Sequence, residues 1–559
     1  MKTVAAYLAE FLASQNVKHI FGYQGSAMLK LLDEICLQGK TKYVQSFHEQ
    51  ASSFSASSYA RVSGGYGVAI ATSGPGAVNL IGGIADAYFD SVPCLFITGQ
   101  DYTSNLLNNQ GTRQVGFQDM NIVKMVETIT KHAVMITDPN DIAYHLEKAV
   151  WMMTDGRMGP VLLDIPIDIQ FAEIDELNLR HFTPEEKISN DMMGLYTRAA
   201  QLLKNAQRPL VIAGGGIQLS GAVDVFRNMI SKTKIPVVTT LNGLDTAESS
   251  YGFSGLYGQT HANLAVYKAD VIIALGTRFA QRQAGKIPRK EYTNAAIIHI
   301  DIDKHELGRV MDEDISICEG LGSAIPKLHI ALSECGFVVS KAWLNCLEKW
   351  KKELLPRLEI NKNGVDPIKF VQYLSGLCGE DVIVTADIGQ NQMWAAQGLV
   401  IKPKWRIVNS GGFGSMGFSV PAAVGASYVD SKATIIAFTG DGGFHMNMQE
   451  LQFLAIHRPN IKCVIFNNEN LGLMREVSKR YYSEHYFGNT STEFQCANIR
   501  GLADSYNLPY CCVDSESAFF AINSLISTEG PCLIECRLSV DAGTVNRYDE
   551  SIIYREYED

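Results

Sequence analysis

This sequence is short of positive charge relative to negative. Its 48 Lys and Arg are outnumbered by 59 Asp and Glu, giving a formal net charge of −11 with His neutral. Non-specific binding to nucleic acid or to an anionic membrane needs a basic footprint, so neither is expected and a small-molecule substrate is. Uninterrupted apolar runs of roughly 18 residues are missing too, which argues against a membrane-spanning helix. The opening "MKTVAAYLAEFLASQNVKHIFGY" offers a Lys and an apolar run, but Glu10 interrupts it, and Val4, Leu8 and Leu12 share one helical face. An amphipathic first helix is expected there, not a signal peptide. Proline is sparse, 17 residues against 48 Gly, and with 46% hydrophobic residues no segment reads as disordered. Zinc spacing is absent among the 12 cysteines, whose close sets are Cys511 with Cys512 and Cys532 with Cys536. Buried reduced thiols in a cytoplasmic protein are the expectation.

What the 559 residues do contain is an alternation of strand-length apolar runs with helix-length amphipathic segments. That length exceeds one hydrophobic core, and the alternation is the pattern of parallel sheets built from βαβ units. An α/β protein of three doubly wound parallel-sheet domains is expected. The first spans 1–170 and closes on "GPVLLDIPIDIQ", after which the polar "EIDELNLRHFTPEEKISND" reads as a linker. The second spans 191–335, with "RPLVIAGGGIQ", "IPVVTT", "ADVIIALGTRF" and "AAIIHIDID" as strands and turns. A charged helical stretch around "AWLNCLEKWKKELLPRL" separates it from the third, 366–559, with "DVIVTADIG", "ATIIAFTGDGG", "KCVIFNN" and "PCLIECRL". No residue-level repeat links the first domain to the third.

The chemistry concentrates in "FTGDGGFHMNMQEL" and "CVIFNNENLGL". Asp441 stands just past a buried strand, where α/β sheets place ligands, and Gly440, Gly442 and Gly443 let backbone approach closely. The next strand presents Asn468 at the same edge. One carboxylate, one amide oxygen and a carbonyl, that of Asn470, suit Mg²⁺, which keeps its other positions for phosphate oxygens and water. A lone Gly-Asp-Gly is more often a turn; followed one helix later by Asn-Asn, it resembles the pattern of thiamine diphosphate enzymes. Such a cofactor also needs a carboxyl group in an apolar pocket to trade a proton with its pyrimidine ring. "YVQSFHEQASSFSASSYARVSG" supplies Glu49 at a strand end before a helix of small residues, although a Glu there also suits the helix dipole.

From here the resemblance runs along nearly the whole chain. "ATSGPGAVNLIGGIADAYFDSVPCLFITGQ", "ITKH", "RFAQRQAGK", "IIHIDIDKHELG", "DIGQNQMWAAQ" and "NSGGFGSMGFSVPAAVGA" are similar, in order, to the acetohydroxyacid synthase (acetolactate synthase) family. The resemblance implies pyrimidine-binding, central and pyrophosphate-binding domains. It also implies a homodimer or homotetramer in which Glu49 and Asp441 of different chains serve one cofactor. Met416 falls where the cofactor is held bent, with a core Met as its alternative, Gly414 is a further cofactor-binding position, and Gly389, Gln390 and Asn391 fall where its diphosphate is cradled, Asn391 standing in place of a more usual His. Phe117, Gln118 and Lys131 match substrate-pocket positions. FAD is implied for the central domain through Gly214, Gly215, Gly216, Arg278 and Asp301, although a glycine turn after a strand is weak evidence alone.

The chain also departs from that family. Val477 occupies the position of a Trp that favours larger keto-acid acceptors, near Leu473. Gln24, beside Gly25, replaces a usual Pro, and "GTRQVGFQDMN" replaces a shorter loop. Arg282 remains where the family grips the acceptor carboxylate, which a guanidinium binds bidentately, with a flavin or surface contact as its alternative. The implied activity is decarboxylation of pyruvate, a 2-keto acid, and transfer of its two-carbon unit to a second carbonyl compound. Alternatives are a ketone or nucleotide-linked keto sugar as acceptor, simple decarboxylation, flavin-dependent oxidation, or a non-catalytic relative that keeps the fold.

Overall fold

The computed structural model describes residues 1–107, 111–185, 192–285, 289–354, 364–490 and 492–544. The boundary expected at 191, the end of the linker and the last fifteen positions of the third domain, 545–559, lie outside them.

Three parallel sheets carry the architecture. The first has six strands in the spatial order Lys42–Gln45, His19–Tyr23, Gly67–Ala71, Cys94–Gln100, Val161–Pro166, His132–Met135. The third has Arg406–Asn409, Val382–Ala386, Thr434–Gly440, Ile461–Asn467, Cys532–Arg537, Tyr510–Val513. Numbered within each unit, both run 2-1-3-4-6-5, so the two share one topology without a shared sequence repeat. The central sheet, Val237–Thr239, Pro209–Ala213, Val271–Leu275, Ala296–Asp301, Ile315–Cys318, runs 2-1-3-4-5. In all three the order reverses between the first and third strands, and ligands of open α/β sheets bind at that switch point. Central strands such as Gly67–Ala71, Val271–Leu275 and Ile461–Asn467 are buried throughout, because helices cover both faces.

Local signals set the elements. Val4–Ser14 is a helix capped by Thr3, with Val4, Leu8 and Leu12 inward. Among the described residues no helix is long and apolar enough to cross a membrane. Lys2–Thr3 pairs antiparallel with Glu173–Ile174, which attaches the segment after Gln170 to the first unit. The helix Lys341–Glu353 packs back on the central unit: Trp343, Leu347 and Trp350 are buried, and Trp343 Nε1 donates to the Pro209 carbonyl at 3.0 Å. The central core thus continues past Cys335, since Trp343, Leu347 and Trp350 join one apolar cluster with Leu210, Ile272 and Ile297.

The helix Glu49–Ser63 joins the first unit to the third. It carries eight Ser and Ala among its buried residues, with Phe54 as the one large apolar side chain. Small side chains let it lie against Ser419–Ser427 so closely that a Cβ at Gly425 would stand 2.0 Å from the Ser55 carbonyl oxygen. Ser55 Oγ donates to the Pro421 carbonyl at 2.8 Å. One continuous apolar core runs from Phe21 and Phe96 to Val424 and Ile465.

Candidate active site

At the switch point of the third sheet, Thr434–Gly440 ends and Asp441 opens the short helix Asp441–Met446. Asp441 is buried; its Oδ1 accepts from the Gly442 N–H at 2.8 Å, and its Oδ2 is buried with no hydrogen-bond partner. Burial pushes this carboxyl up to about 7, against the backbone N–H groups of Gly442, Asn470 and Glu469, which favour the anion. Asn470 Nδ2 donates to the Asn468 carbonyl at 2.7 Å and to the Val540 carbonyl at 3.0 Å, and its Oδ1 is a second buried oxygen without a partner. Asn468 Nδ2 donates to Gln390 Oε1 at 2.9 Å. Among the described residues no group of three or more His, Cys, Asp and Glu is placed to hold a metal. One carboxylate with amide and carbonyl oxygens is a hard oxygen set, which fits Mg²⁺ and not a soft transition metal.

The neighbouring loops are shaped by the same residues. Gly389 has φ 133°, a conformation open to glycine, and caps the helix Gln390–Gly398. Asn391 Oδ1 is buried without a partner. The half-buried Met416 and Leu471 both lie over Gly442, where a Cβ would stand 3.2 Å from Met416 Cε and 2.5 Å from Leu471 Cδ2. Gly414 follows the turn at Ser410, whose Oγ accepts its N–H at 2.9 Å. Gly443 backs onto Asp387, a buried acid absent from the sequence reading. Asp387 accepts from the Ser419 N–H at 2.8 Å and Thr439 Oγ1 at 2.6 Å, tying the Met416 loop to the Asp441 strand. Its letters "DIG" were visible; its partners lie 32 and 52 positions away.

The first sheet carries a second cluster at its own switch point. Glu49 begins its helix after His48, whose Nδ1 accepts the Gln50 N–H at 3.1 Å. Glu49 is 8% exposed, and its Oε2 accepts from Asn79 Nδ2 at 3.0 Å. Gly76 lies beneath Oε1, and Gly25 packs on the same Thr72 side chain that Gly76 faces. Gln118, at φ 62°, sits on Gly74 of that turn. Gly25, Gln118 and Glu49 therefore share one edge, with Gln24 exposed beside them. Phe117 is 81% exposed. Lys131 precedes the strand His132–Met135 and so sits at the opposite edge of the sheet within one chain, its Nζ donating to the Asp155 carbonyl.

Within a chain the two clusters touch through their supports. Asn447 Nδ2 donates to the Gly417 carbonyl at 2.8 Å and to Gln50 Oε1 at 3.3 Å, and Glu450 Oε1 accepts the Phe47 N–H at 2.9 Å. Leu473 and Val477 lie half-buried on the helix Gly472–Tyr481, which has no fully buried residue.

A cavity of about 610 Å³ lies where the three units meet, lined by Gly215, Gly216, Arg278, Arg282 and Asp301 among others. The glycine trio is used first for packing: a Cβ at Gly214 would stand 2.1 Å from the Gly276 oxygen, and one at Gly216 2.8 Å from Gly276 Cα. Asp301 Oδ1 accepts the Asp303 N–H at 2.9 Å, and burial raises its pKa. Arg282 Nη2 donates to Gln392 Oε1 at 3.0 Å, while its Nη1 is buried without a partner; desolvation lowers its pKa. One wall of the cavity is a hub missed in the sequence. Arg61 Nη2 bridges Asp86 and Asp90 at 3.3 Å each, Asp90 Oδ2 accepts from the Gly411 N–H at 3.0 Å, and Asp90 Oδ1 accepts from Gly412 N–H at 2.7 Å and from Asn242 Nδ2 at 3.0 Å. Burial and the neighbouring Asp90 raise Asp86 despite Arg61. Its one legible sign was Asp86 and Asp90 four apart on a helix.

Three α/β units with ligand-type sites at their switch points define a multidomain cofactor enzyme. Three family models match it: the N-terminal TPP binding domain of thiamine pyrophosphate enzymes over residues 2–125, the central domain over 196–328, and the C-terminal TPP binding domain over 387–536. The acetolactate synthase large subunit of Lactococcus lactis subsp. lactis (strain IL1403) is 36% identical over 542 residues, covering 94% of this chain and 91% of the relative. That of Cyanidium caldarium is 34% identical over 96% of this chain and 93% of its own, and acetolactate synthase 1, chloroplastic, of Oryza sativa subsp. japonica 34% over 95% and 84%. The chain belongs to the acetolactate synthase-like family of thiamine pyrophosphate enzymes.

Proposed function

We propose that the protein decarboxylates pyruvate and transfers the two-carbon unit to a second carbonyl compound, with thiamine diphosphate and Mg²⁺ held at the third sheet. The observation that carries the metal assignment is Asp441 Oδ2, a buried carboxylate oxygen without a partner, on a carboxylate that also takes the Asn470 backbone N–H; the Asn468 amide oxygen and the Asn470 backbone carbonyl complete the proposed set. Bound thiamine diphosphate supplies the electron sink into which the bond between a keto carbon and its carboxylate breaks. Asp441, Asn468 and Asn470 hold the cation that anchors the diphosphate; Gly389, Gln390, Asn391, Gly414, Gly442 and Gly443 form its cradle. Met416, which lies over Gly442, would support the cofactor from that side. Glu49 would exchange a proton with the pyrimidine ring; it is buried, and Asn79 Nδ2 on Oε2 leaves Oε1 as the oxygen for that exchange. Asp441 and Glu49 act on one cofactor from two chains, which makes a homodimer the minimal unit and a homotetramer a pair of them.

Gly25, Gln24, Phe117 and Gln118 from the chain of Glu49, and Leu473 and Val477 from the chain of Asp441, border the substrate entrance, which Lys131 does not reach within one chain. Arg282, with its unpartnered Nη1, receives an anionic group of the acceptor. The central cavity takes FAD, with Arg278, Asp301 and the Gly214–Gly216 turn around it. A second reading, a bulkier acceptor such as a nucleotide-linked keto sugar, is favoured by Val477, whose side chain leaves space a Trp would fill.

The deciding experiment feeds labelled pyruvate with keto acids, aldehydes, ketones and nucleotide keto sugars, and identifies products by mass. An acceptor enlarged by two labelled carbons with release of carbon dioxide supports the reading. Acetaldehyde alone, or reduction of an added electron acceptor, replaces it with decarboxylation or oxidation.

A further inference from the structure

Glu476 lies on the inner side of the helix Gly472–Tyr481, and no step above uses it. Its Oε1 accepts from Gln390 Nε2 at 2.6 Å and from the Thr544 N–H at 2.8 Å, and its Oε2 accepts from Thr544 Oγ1 at 2.8 Å. Gln390 Nε2 donates also to the Ala542 carbonyl at 2.7 Å. A carboxylate and a carbonyl can only accept, so the Gln390 amide has one admissible orientation, nitrogen toward Glu476. Its oxygen then faces the other way, where it takes Asn468 Nδ2 at 2.9 Å. The Asn468 amide is fixed by the same logic, with its nitrogen on Gln390 and its oxygen left for a different partner. Gly472 makes room for the relay, since a Cβ there would stand 1.7 Å from Gln390 Oε1.

The segment around Thr544 is pinned to the same place. Asn470 Nδ2 reaches the Val540 carbonyl at 3.0 Å, and Trp394 Nε1 the Gly543 carbonyl at 3.0 Å. Glu476 thus receives donors from both the diphosphate loop and the segment laid over it.

We propose that Glu476 is a positioning residue for the cation: through Gln390 it holds the Asn468 amide with its oxygen available to the metal. The proposal rests on the assignment of Asp441 and Asn468 as cation ligands. Partners one shell out from a metal's ligands typically change metal affinity or activity by about 10–100-fold when removed.

The test is a Mg²⁺ titration of thiamine diphosphate binding to the full-length protein, read by quenching of intrinsic fluorescence. Glu476→Ala and the similarly long, apolar Glu476→Met are expected to raise the half-saturating Mg²⁺ concentration about 10–100-fold. Glu476→Gln is expected to restore it to within about threefold of wild type, because the amide oxygen still accepts from Gln390 and from the Thr544 N–H. In a Gln390→Ala background, Glu476→Met is expected to add less than about threefold, since residues acting through one relay are not additive. Equal Mg²⁺ dependence of Glu476→Met and wild type overturns the proposal, even if the thermal midpoint falls, because that is the outcome of a merely structural contact. A Glu476→Gln variant as impaired as Glu476→Met overturns it as well, by assigning the effect to charge. Asp441→Ala separates the two readings: if it keeps wild-type Mg²⁺ dependence, the cation seat itself is wrong; if it loses that dependence while Glu476→Met keeps it, only the relay falls.

Discussion

Glu49→Gln isolates proton exchange from everything else Glu49 does. The residue sits at the first position of its helix, 8% exposed, with Oε2 taking Asn79 Nδ2 at 3.0 Å. A glutamine there is nearly isosteric, and its amide oxygen can keep the Asn79 bond. Its nitrogen then occupies the place of Oε1, above Gly76, where a Cβ would already stand 3.1 Å away, so no bulk is added. Folding stability therefore changes little, about 1 kcal/mol for exchanging an ionic acceptor for a neutral one. Catalysis changes far more. Removing a positioned acid-base group typically costs about 10²–10⁴ in rate, or about 3–6 kcal/mol of barrier at about 1.4 kcal/mol per decade. The assay is carbon dioxide release from pyruvate under saturating thiamine diphosphate and Mg²⁺, run beside a fluorescence titration of cofactor binding. The expected result is a loss of about two to four decades in kcat with cofactor affinity within about threefold of wild type. A kcat within about threefold of wild type refutes the role; a parallel loss of cofactor affinity reassigns Glu49 to binding.

Two further predictions concern the scaffold. Gly425→Ala places a methyl 2.0 Å from the Ser55 oxygen and 2.8 Å from its Cα, which are backbone atoms that no rotamer change can move. The helices carrying Glu49 and following Met416 must separate, at about 1–3 kcal/mol, and the thermal midpoint should drop by several degrees; an unchanged midpoint would show the contact to be soft. Asp164 is buried between Thr98 Oγ1 at 2.7 Å and Gln100 Nε2 at 3.0 Å, and burial raises its carboxyl to about 7. A folded-state pKa above the unfolded value of about 3.9 means that the folded state binds the extra proton between those limits, so this group's contribution to stability falls as pH rises from about 4 to about 7. Asp164→Asn should flatten that part of the midpoint-versus-pH curve, and a curve parallel to wild type over the window would contradict the burial argument.

The sequence by itself determined the strands, the class of the units and the Asp441–Asn468 pattern proposed as a cation seat. Strand runs are legible because a parallel sheet covered on both faces demands continuous apolar segments, and the amphipathic Val4–Ser14 helix because its period is local. Asp441 and Asn468 were readable together because consecutive units deliver them to adjacent strands less than thirty positions apart, with glycines marking the close approach. Only the tertiary structure decided what depends on distant neighbours. The common 2-1-3-4-6-5 order of the first and third sheets left no trace in residue identities, since a given backbone path accepts many sequences of the right polarity. The use of Gly214 and Gly216 became visible only with Gly276 against them, and the edge at which Lys131 stands only once its strand had a direction. The Gln390–Glu476–Thr544 relay joins positions up to 154 apart, and an amide's orientation is settled by which acceptor happens to face it. Local periodicity carries no information about that choice, because hydrogen-bond partners are assigned by packing in three dimensions.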